Sequence, residues 1–231
     1  MADLENEDIE INEEYDEDIE LRQKNHDLFW GTGGYGPVPN AYDDEDAMWK
    51  EALEFAKIKH EGQKRDEGVP YFEHIKGVLD ILIKETDATY DKILTVAVLH
   101  DVLEDTDCTY EELEDEFGEE VAGAVLLLTR KKDPVTGEKE PYEEYTKRIF
   151  ENEEFMYVRS IKAADRLHNL RSIPNANNPE KMYKYIIETE KCILPYENVT
   201  DRELMRLIKV EVESLKGRKE MQGFFHDEPE K

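Results

Sequence analysis

At 231 residues the chain suits one domain with an extension, and it is long enough to bury a full core without staples. Its 58 acidic against 30 basic side chains give a formal net charge of −28, which excludes the basic footprint that non-specific nucleic-acid binding requires. No apolar run reaches membrane-span length, the N-terminus is acidic rather than basic-then-apolar, and Cys108 and Cys192 form no C-x-x-C, so the expectation is a soluble cytoplasmic protein with free thiols and no disulfide framework.

Residues 1–20 carry eleven acidic side chains and no Lys or Arg. Such a segment repels itself and buries little, so disorder is expected, and it reads either as a solubilising tail or as a surface for a protein partner. Phe29-Trp30-Gly31-Thr32-Gly33-Gly34-Tyr35-Gly36-Pro37 should be irregular, a linker or a lid. Its glycines match neither a dinucleotide nor a P-loop fingerprint. The organisation expected is therefore an extension over 1–45, a folded domain over 46–220 and a frayed acidic tail over 221–231.

Within the domain, Met48, Leu53, Phe55 and Ala56 predict a helix through His60. Gly62 to Pro70 reads as a loop. A second helix carries His74, with Ile75, Val78, Leu79 and Leu82 inward. A third runs from Tyr90 to Glu104. Thr109-x-x-Glu112 is a capping box opening a fourth, Phe117-Gly118 breaks it, and Glu119 to Thr129 follows. Arg130 to Glu140 is a polar loop with turn signals at Asp133-Pro134 and Thr136-Gly137. Helices over 142–151 and 154–171 come next, then a loop from Pro174 to Pro179. A further helix runs through Leu194, and a last one is opened by Thr200-x-x-Glu203. No alternating strand pattern competes, so the fold class expected is all-α.

Two polar clusters stand where helices should be apolar. His100-Asp101-Val102-Leu103-Glu104-Asp105 ends the apolar run Ile93-Leu94-Thr95-Val96-Ala97-Val98-Leu99. On a continuous helix His100 and Glu104 are neighbours, as are Asp101 with Glu104 and Asp105. The second cluster lies in Ile161-Lys162-Ala163-Ala164-Asp165-Arg166-Leu167-His168-Asn169-Leu170, where Asp165 and Asn169 share a face. His74 stands on its own helix. A metal site in an all-α domain draws ligands from several helices. His74, His100, Asp101 and Asp165 would supply two imidazoles and two carboxylates, a mixture that suits Mn, Fe, Zn or Mg. The bland alternative for the first cluster is an exposed, charge-rich helix end.

Four spaced segments make the pattern specific. They are His60-Glu61-Gly62-Gln63-Lys64-Arg65 with Gly68-Val69-Pro70-Tyr71 and His74; Ala97 through Thr106; Phe117-Gly118-Glu119-Glu120-Val121-Ala122 running to Leu128-Thr129-Arg130; and Lys162 through Arg171. Tyr185-x-x-Glu188-Thr189 with Pro195 is a weaker fifth. Together, over about residues 50–196, the chain resembles the HD-domain phosphohydrolases. Within them it is most similar to the RelA/SpoT-type alarmone hydrolases, in their small hydrolase-only branch typified by the metazoan SpoT homologue. It departs from that pattern at Ile75, where the family has Pro, and in Arg65-Asp66-Glu67-Gly68.

The resemblance implies one metal, usually Mn²⁺, on His74, His100, Asp101 and Asp165. It implies Glu104 and Asp105 as the acid/base and orienting pair, and substrate binding by Arg65 and Asn169. The implied reaction removes the 3′-pyrophosphate of ppGpp or pppGpp. A companion synthetase domain is not expected, because fewer than 40 residues follow the matched region. A polyphosphate substrate on so acidic a chain needs local cations. Candidates are Lys64, Arg65, Arg130, Lys131, Lys132, Lys139 and Arg166, the last of which has a core ion pair as its alternative. His60 reads as packing near the loop, and His168 as either the support of a ligand or a surface residue. Other readings are an HD phosphohydrolase acting on ppApp or a deoxynucleotide, and an HD scaffold that binds a nucleotide or a toxin.

Overall fold

The computed structural model describes residues 47–86 and 90–225. The acidic segment, the aromatic Gly/Pro stretch, His26 and His226 lie outside the described residues. The chain begins with α1 (Met48–Lys59), α2 (Phe72–Glu85), α3 (Asp91–Leu99) and the single turn α4 (Val102–Asp105). It continues through α5 (Tyr110–Phe117), α6 (Glu119–Leu128), α7 (Tyr142–Phe150) and α8 (Val158–Ser172). It closes with α9 (Pro179–Cys192) and α10 (Arg202–Lys216), with 3₁₀ turns at Ile173–Ala176, Leu194–Val199 and Lys219–Met221. Among the described residues the only extended pairings are the isolated bridges Lys64 with Pro70 and Lys132 with Lys139, so the domain is all-α.

Helix α3 is the axis of the packing. Leu94, Val96, Ala97, Val98 and Leu99 are all fully buried, as a helix apolar all round must be. It packs on α1, α2, α6 and α8, and α8 packs in turn on α2 and α10. Asp91, at the start of α3, also caps α1: its carboxylate accepts from the backbone N–H groups of Met48 (3.0 Å) and Trp49 (2.9 Å). In α10, Leu204, Ile208, Val212 and Leu215 form one buried stripe at helical spacing.

Three local expectations change. The helix expected from Tyr90 to Glu104 is broken at His100-Asp101, and Asp101 becomes the residue that opens α4. The last helix is capped by Asp201, which accepts from Leu204 N at 2.9 Å, and not by Thr200, whose hydroxyl donates to Tyr196 O. Met221 is buried, and Phe224 stacks on Tyr183 with centroids 5.0 Å apart, so packing continues to residue 225. The capping box at Thr109 forms as read, with Thr109 Oγ accepting from Glu112 N at 3.1 Å. Among the described residues no helix is long and apolar enough to cross a membrane.

Candidate active site

His74 comes from the first turn of α2, His100 and Asp101 from the break between α3 and α4, and Asp165 from the middle of α8. Asp101 Oδ2 lies 2.9 Å from His100 Nε2 and 3.6 Å from His74 Nε2. Asp165 Oδ1 lies 3.4 Å from the same His74 nitrogen. One ligating atom each from His74, His100 and Asp101 falls within 4.8 Å of the others. Both imidazoles and Asp165 are buried.

The donor set fits a divalent cation. His100 Nδ1 is 2.7 Å from the Ala97 carbonyl, which only accepts, so Nδ1 carries the proton and Nε2 of the neutral ring keeps its lone pair. That Nε2 is buried and has no hydrogen-bond partner, although it sits close to Asp101. A buried lone pair facing carboxylates calls for a cation in the space between them.

Two residues to which the sequence patterns assign no role join the site. Tyr71 places its hydroxyl 2.5 Å from Asp101 Oδ2 and 3.0 Å from Asp105 Oδ2. Its ring stacks on His60, with centroids 4.8 Å apart. Lys162 donates to Asp165 Oδ2 at 2.7 Å and lies over the Tyr145 ring. Both precede a candidate ligand by three residues, and same-face helical spacing is the signal that finds them. His60 Nδ1 pairs with Gln63 Oε1 at 2.8 Å, and Gln63 Nε2 donates to the Asp105 carbonyl at 2.6 Å. The loop before α2 is thereby tied to α4.

The sequence-expected cations divide. Arg65 turns inward and donates from Nη2 to Asn169 Oδ1 (2.9 Å) and Ser172 Oγ (3.1 Å), while Asn169 Nδ2 donates to Asp165 Oδ1 at 2.5 Å. A cleft of about 340 Å³ opens here between Arg65, Glu67, His74, His168 and Ser172. Lys64 is exposed, as alternation along an extended segment requires of Arg65's neighbour. Glu104 faces the loop that follows α6. Its carboxylate accepts from Arg130 N (2.8 Å) and Lys139 Nζ (2.5 Å). The Arg130 guanidinium donates to the Glu140 carbonyl and lies over the Tyr142 ring, so it braces its own loop. Lys131 contributes its backbone N–H to Glu140 and leaves its side chain exposed. A second cleft of about 480 Å³ runs past Glu104, Arg130, Lys131 and Lys132 over Leu126 and Phe155. Arg166 is buried between the Tyr142 and Tyr185 rings and faces Glu188 at 3.4 Å. Of its two sequence alternatives, the core pair is the one formed.

Burial works against every charge in this cluster, so each charge that persists has a partner. Burial opposes ionisation of Asp101, yet His100 and His74 hold its carboxyl well below the usual range. Burial opposes that of Asp165 too, and Lys162 first, then His74, holds it well below as well. Burial also disfavours a charged His100, but Asp101 pushes it up to about 9, so without a metal ion a proton fills the place on Nε2 that the carboxylates demand for a cation, and a metal ion would displace it. His168 is pushed down to about 3, by burial first and then by His74 and Arg65. Burial, followed by the negative charge of Asp101, raises Asp105 above the ordinary aspartate range. The cluster thus favours positive charge beside Asp101 and Asp165 and keeps one carboxyl at its edge, Asp105, inclined to hold a proton.

A family model described as an HD domain matches residues 52–191. The chain is 38% identical over 137 residues to the guanosine-3′,5′-bis(diphosphate) 3′-pyrophosphohydrolase MESH1 of Danio rerio, covering 58% of this chain and 73% of that protein. For the Drosophila melanogaster protein of the same name the identity is 34% over 156 residues, covering 64% and 83%. A guanosine-3′,5′-bis(diphosphate) 3′-pyrophosphohydrolase of Aquifex aeolicus is 39% identical over 145 residues, and there the chain spans only 20% of the relative's length. A solved structure described as a metazoan ortholog of SpoT that hydrolyzes ppGpp and plays a role in starvation responses matches with a TM-score of 0.64 at 27% identity, covering 80% of this chain and 98% of that one.

Proposed function

The chain belongs to the HD domain family, and we propose that it is a metal-dependent alarmone hydrolase that takes the 3′-pyrophosphate from ppGpp or pppGpp. Water adds to the phosphorus attached to O3′, the P–O3′ bond breaks, and O3′ leaves with a proton as the nucleoside hydroxyl. The products are GDP or GTP and pyrophosphate. The observation that carries the reading is the buried His100 Nε2 lone pair among His74, Asp101 and Asp165, with Asp105 joined to Asp101 through the Tyr71 hydroxyl.

His74, His100, Asp101 and Asp165 would hold one divalent ion, and mixed imidazole and carboxylate donors suit Mn²⁺. When bound, such an ion lowers the pKa of water and neutralises phosphate oxygens. The rest belongs to the chain. Asp105, joined through Tyr71 to Asp101, is the group placed to take the proton of the attacking water. Glu104, fixed by Arg130 N and Lys139, orients that water. Arg65, which lines the cleft beside His74, and Asn169, which is hydrogen-bonded to it, bind the substrate. Lys131 and Lys132, with Lys64 at the rim, offset the repulsion that the acidic chain exerts on a polyphosphate. Residues 46–220 form the catalytic unit, with residues 1–45 a solubilising extension, and buried Cys108 and Cys192 thiols suit a reducing cytoplasm.

The test is a Mn²⁺-supplemented assay of the purified chain with ppGpp, pppGpp and ppApp, following pyrophosphate and the 5′-nucleotide. Turnover that needs both metal and Asp101, read with Asp101→Ala, is the expected result, with the guanosine substrates ahead of ppApp. No turnover on any of the three by a metal-loaded protein overturns the assignment.

A further inference from the structure

His74 is held from behind by another histidine. His74 Nδ1 and His168 Nδ1 are 2.9 Å apart, with ring centroids at 4.7 Å and planes inclined by 63°. Two like nitrogens at this distance share a single proton: one donates and the other accepts. The His74 nitrogen that faces Asp101 and Asp165 is Nε2. For Nε2 to offer a lone pair, the proton must sit on His74 Nδ1, and His168 Nδ1 must accept it.

The place of His168 is cut into α2 itself. A Cβ at Gly77 would lie 2.2 Å from both Cδ2 and Nε2 of the His168 ring, so no other residue at position 77 leaves the ring where it is. Glycine weakens a helix interior, so its presence there needs a local reason. Gly77 lies three residues after His74 and shares its face. The face of α2 that presents the ligand therefore also carries the notch for the ligand's partner.

We propose that His168, seated in the Gly77 notch, is a positioning residue that fixes the Nδ1-protonated tautomer and the ring angle of His74 and thereby sets the metal affinity of the site. The inference rests on the metal-dependent reading above. Ligating imidazoles generally have such a partner, and its loss costs about 10- to 100-fold in affinity. Here the partner is a neutral ring, so it orients His74 without adding negative charge to a site that already holds two carboxylates.

The measurement is Mn²⁺ affinity of the full chain, by electron paramagnetic resonance of free Mn²⁺, with folding checked by circular dichroism. His168→Phe keeps a ring and removes the acceptor; Gly77→Ala keeps the acceptor and displaces the ring. Each is expected to weaken Mn²⁺ by about 10- to 100-fold. His168→Asn retains an oxygen acceptor near the position of Nδ1 with less bulk. It should bind more tightly than His168→Phe. Folded His168→Phe with wild-type affinity, or His168→Asn binding no more tightly than His168→Phe, overturns the inference. Failure of the wild-type chain to bind Mn²⁺ overturns the metal reading itself, which keeps the two failures distinct.

Discussion

The Tyr71 hydroxyl has one proton and two carboxylates within reach, Asp101 and Asp105. Its bond to Asp101 is short and charge-assisted, and hydrogen bonds to charged groups are worth roughly 1.5–3 kcal/mol. Tyr71→Phe should therefore lower kcat by about 10- to 100-fold while the helices stay folded. The pH profile gives the sign. Asp105 is raised by burial and by Asp101, while the Tyr71 hydrogen bond pulls the other way. If Asp105 works as the base, activity rises as it ionises, so the acid limb should lie above the ordinary aspartate value of about 3.9. In Tyr71→Phe that limb should move further up, because the donor favouring the ionised form is gone. A pH–rate series on both proteins measures this, and an unchanged limb would place the proton elsewhere. The sequence shows Tyr71 only as a residue at helical spacing before His74; that its hydroxyl joins two acids depends on where α4 comes to rest.

At the scale of elements, the break between α3 and α4 matters most. Read as one helix, the segment pairs His100 with Glu104. In the folded chain Asp101 opens a new turn and Glu104 swings to the loop between α6 and α7. That loop is organised by Glu140, whose carboxylate accepts from Lys131 N (2.8 Å) and Arg148 Nη2 (2.5 Å) and whose carbonyl takes the Arg130 side chain. Burial works against the Glu140 charge, but Arg148 holds its carboxyl below the ordinary glutamate range. A depressed folded value means stability that is present above the unfolded pKa, about 4.3, and is lost as pH falls through the folded one. Glu140→Gln should thus have a lower urea midpoint than wild type at neutral pH, with the gap closing below about pH 4. Because Lys139 follows this loop onto Glu104, the same variant should also lower kcat/KM. Helix periodicity reveals α6 and α7 from sequence, but the loop between them reads only as polar, since its bonds run to side chains on other elements.

For the whole molecule, charge is the governing quantity. The net −28 repels a polyphosphate at long range, and much of the excess stands in residues 1–20. Deleting residues 1–45 should leave kcat unchanged and lower KM at low ionic strength. The difference should fade near 0.15 M salt, where the Debye length is about 8 Å. Steady-state kinetics across a salt series reads both effects, and loss of turnover would make the extension part of the catalytic unit.

The all-α class, nearly every helix and the residue types of the candidate site follow from the sequence alone, because helical periodicity, caps and turn residues act over a few positions. Which side chains meet is another matter. Arg65 finds Asn169 across 104 positions and His74 finds His168 across 94. Arg166 goes to the core while Arg65, with the same guanidinium, goes to the cleft. Such pairings are decided only when α2, α3 and α8 pack together, since burial and the partners available there, not local spacing, determine which polar groups give up water.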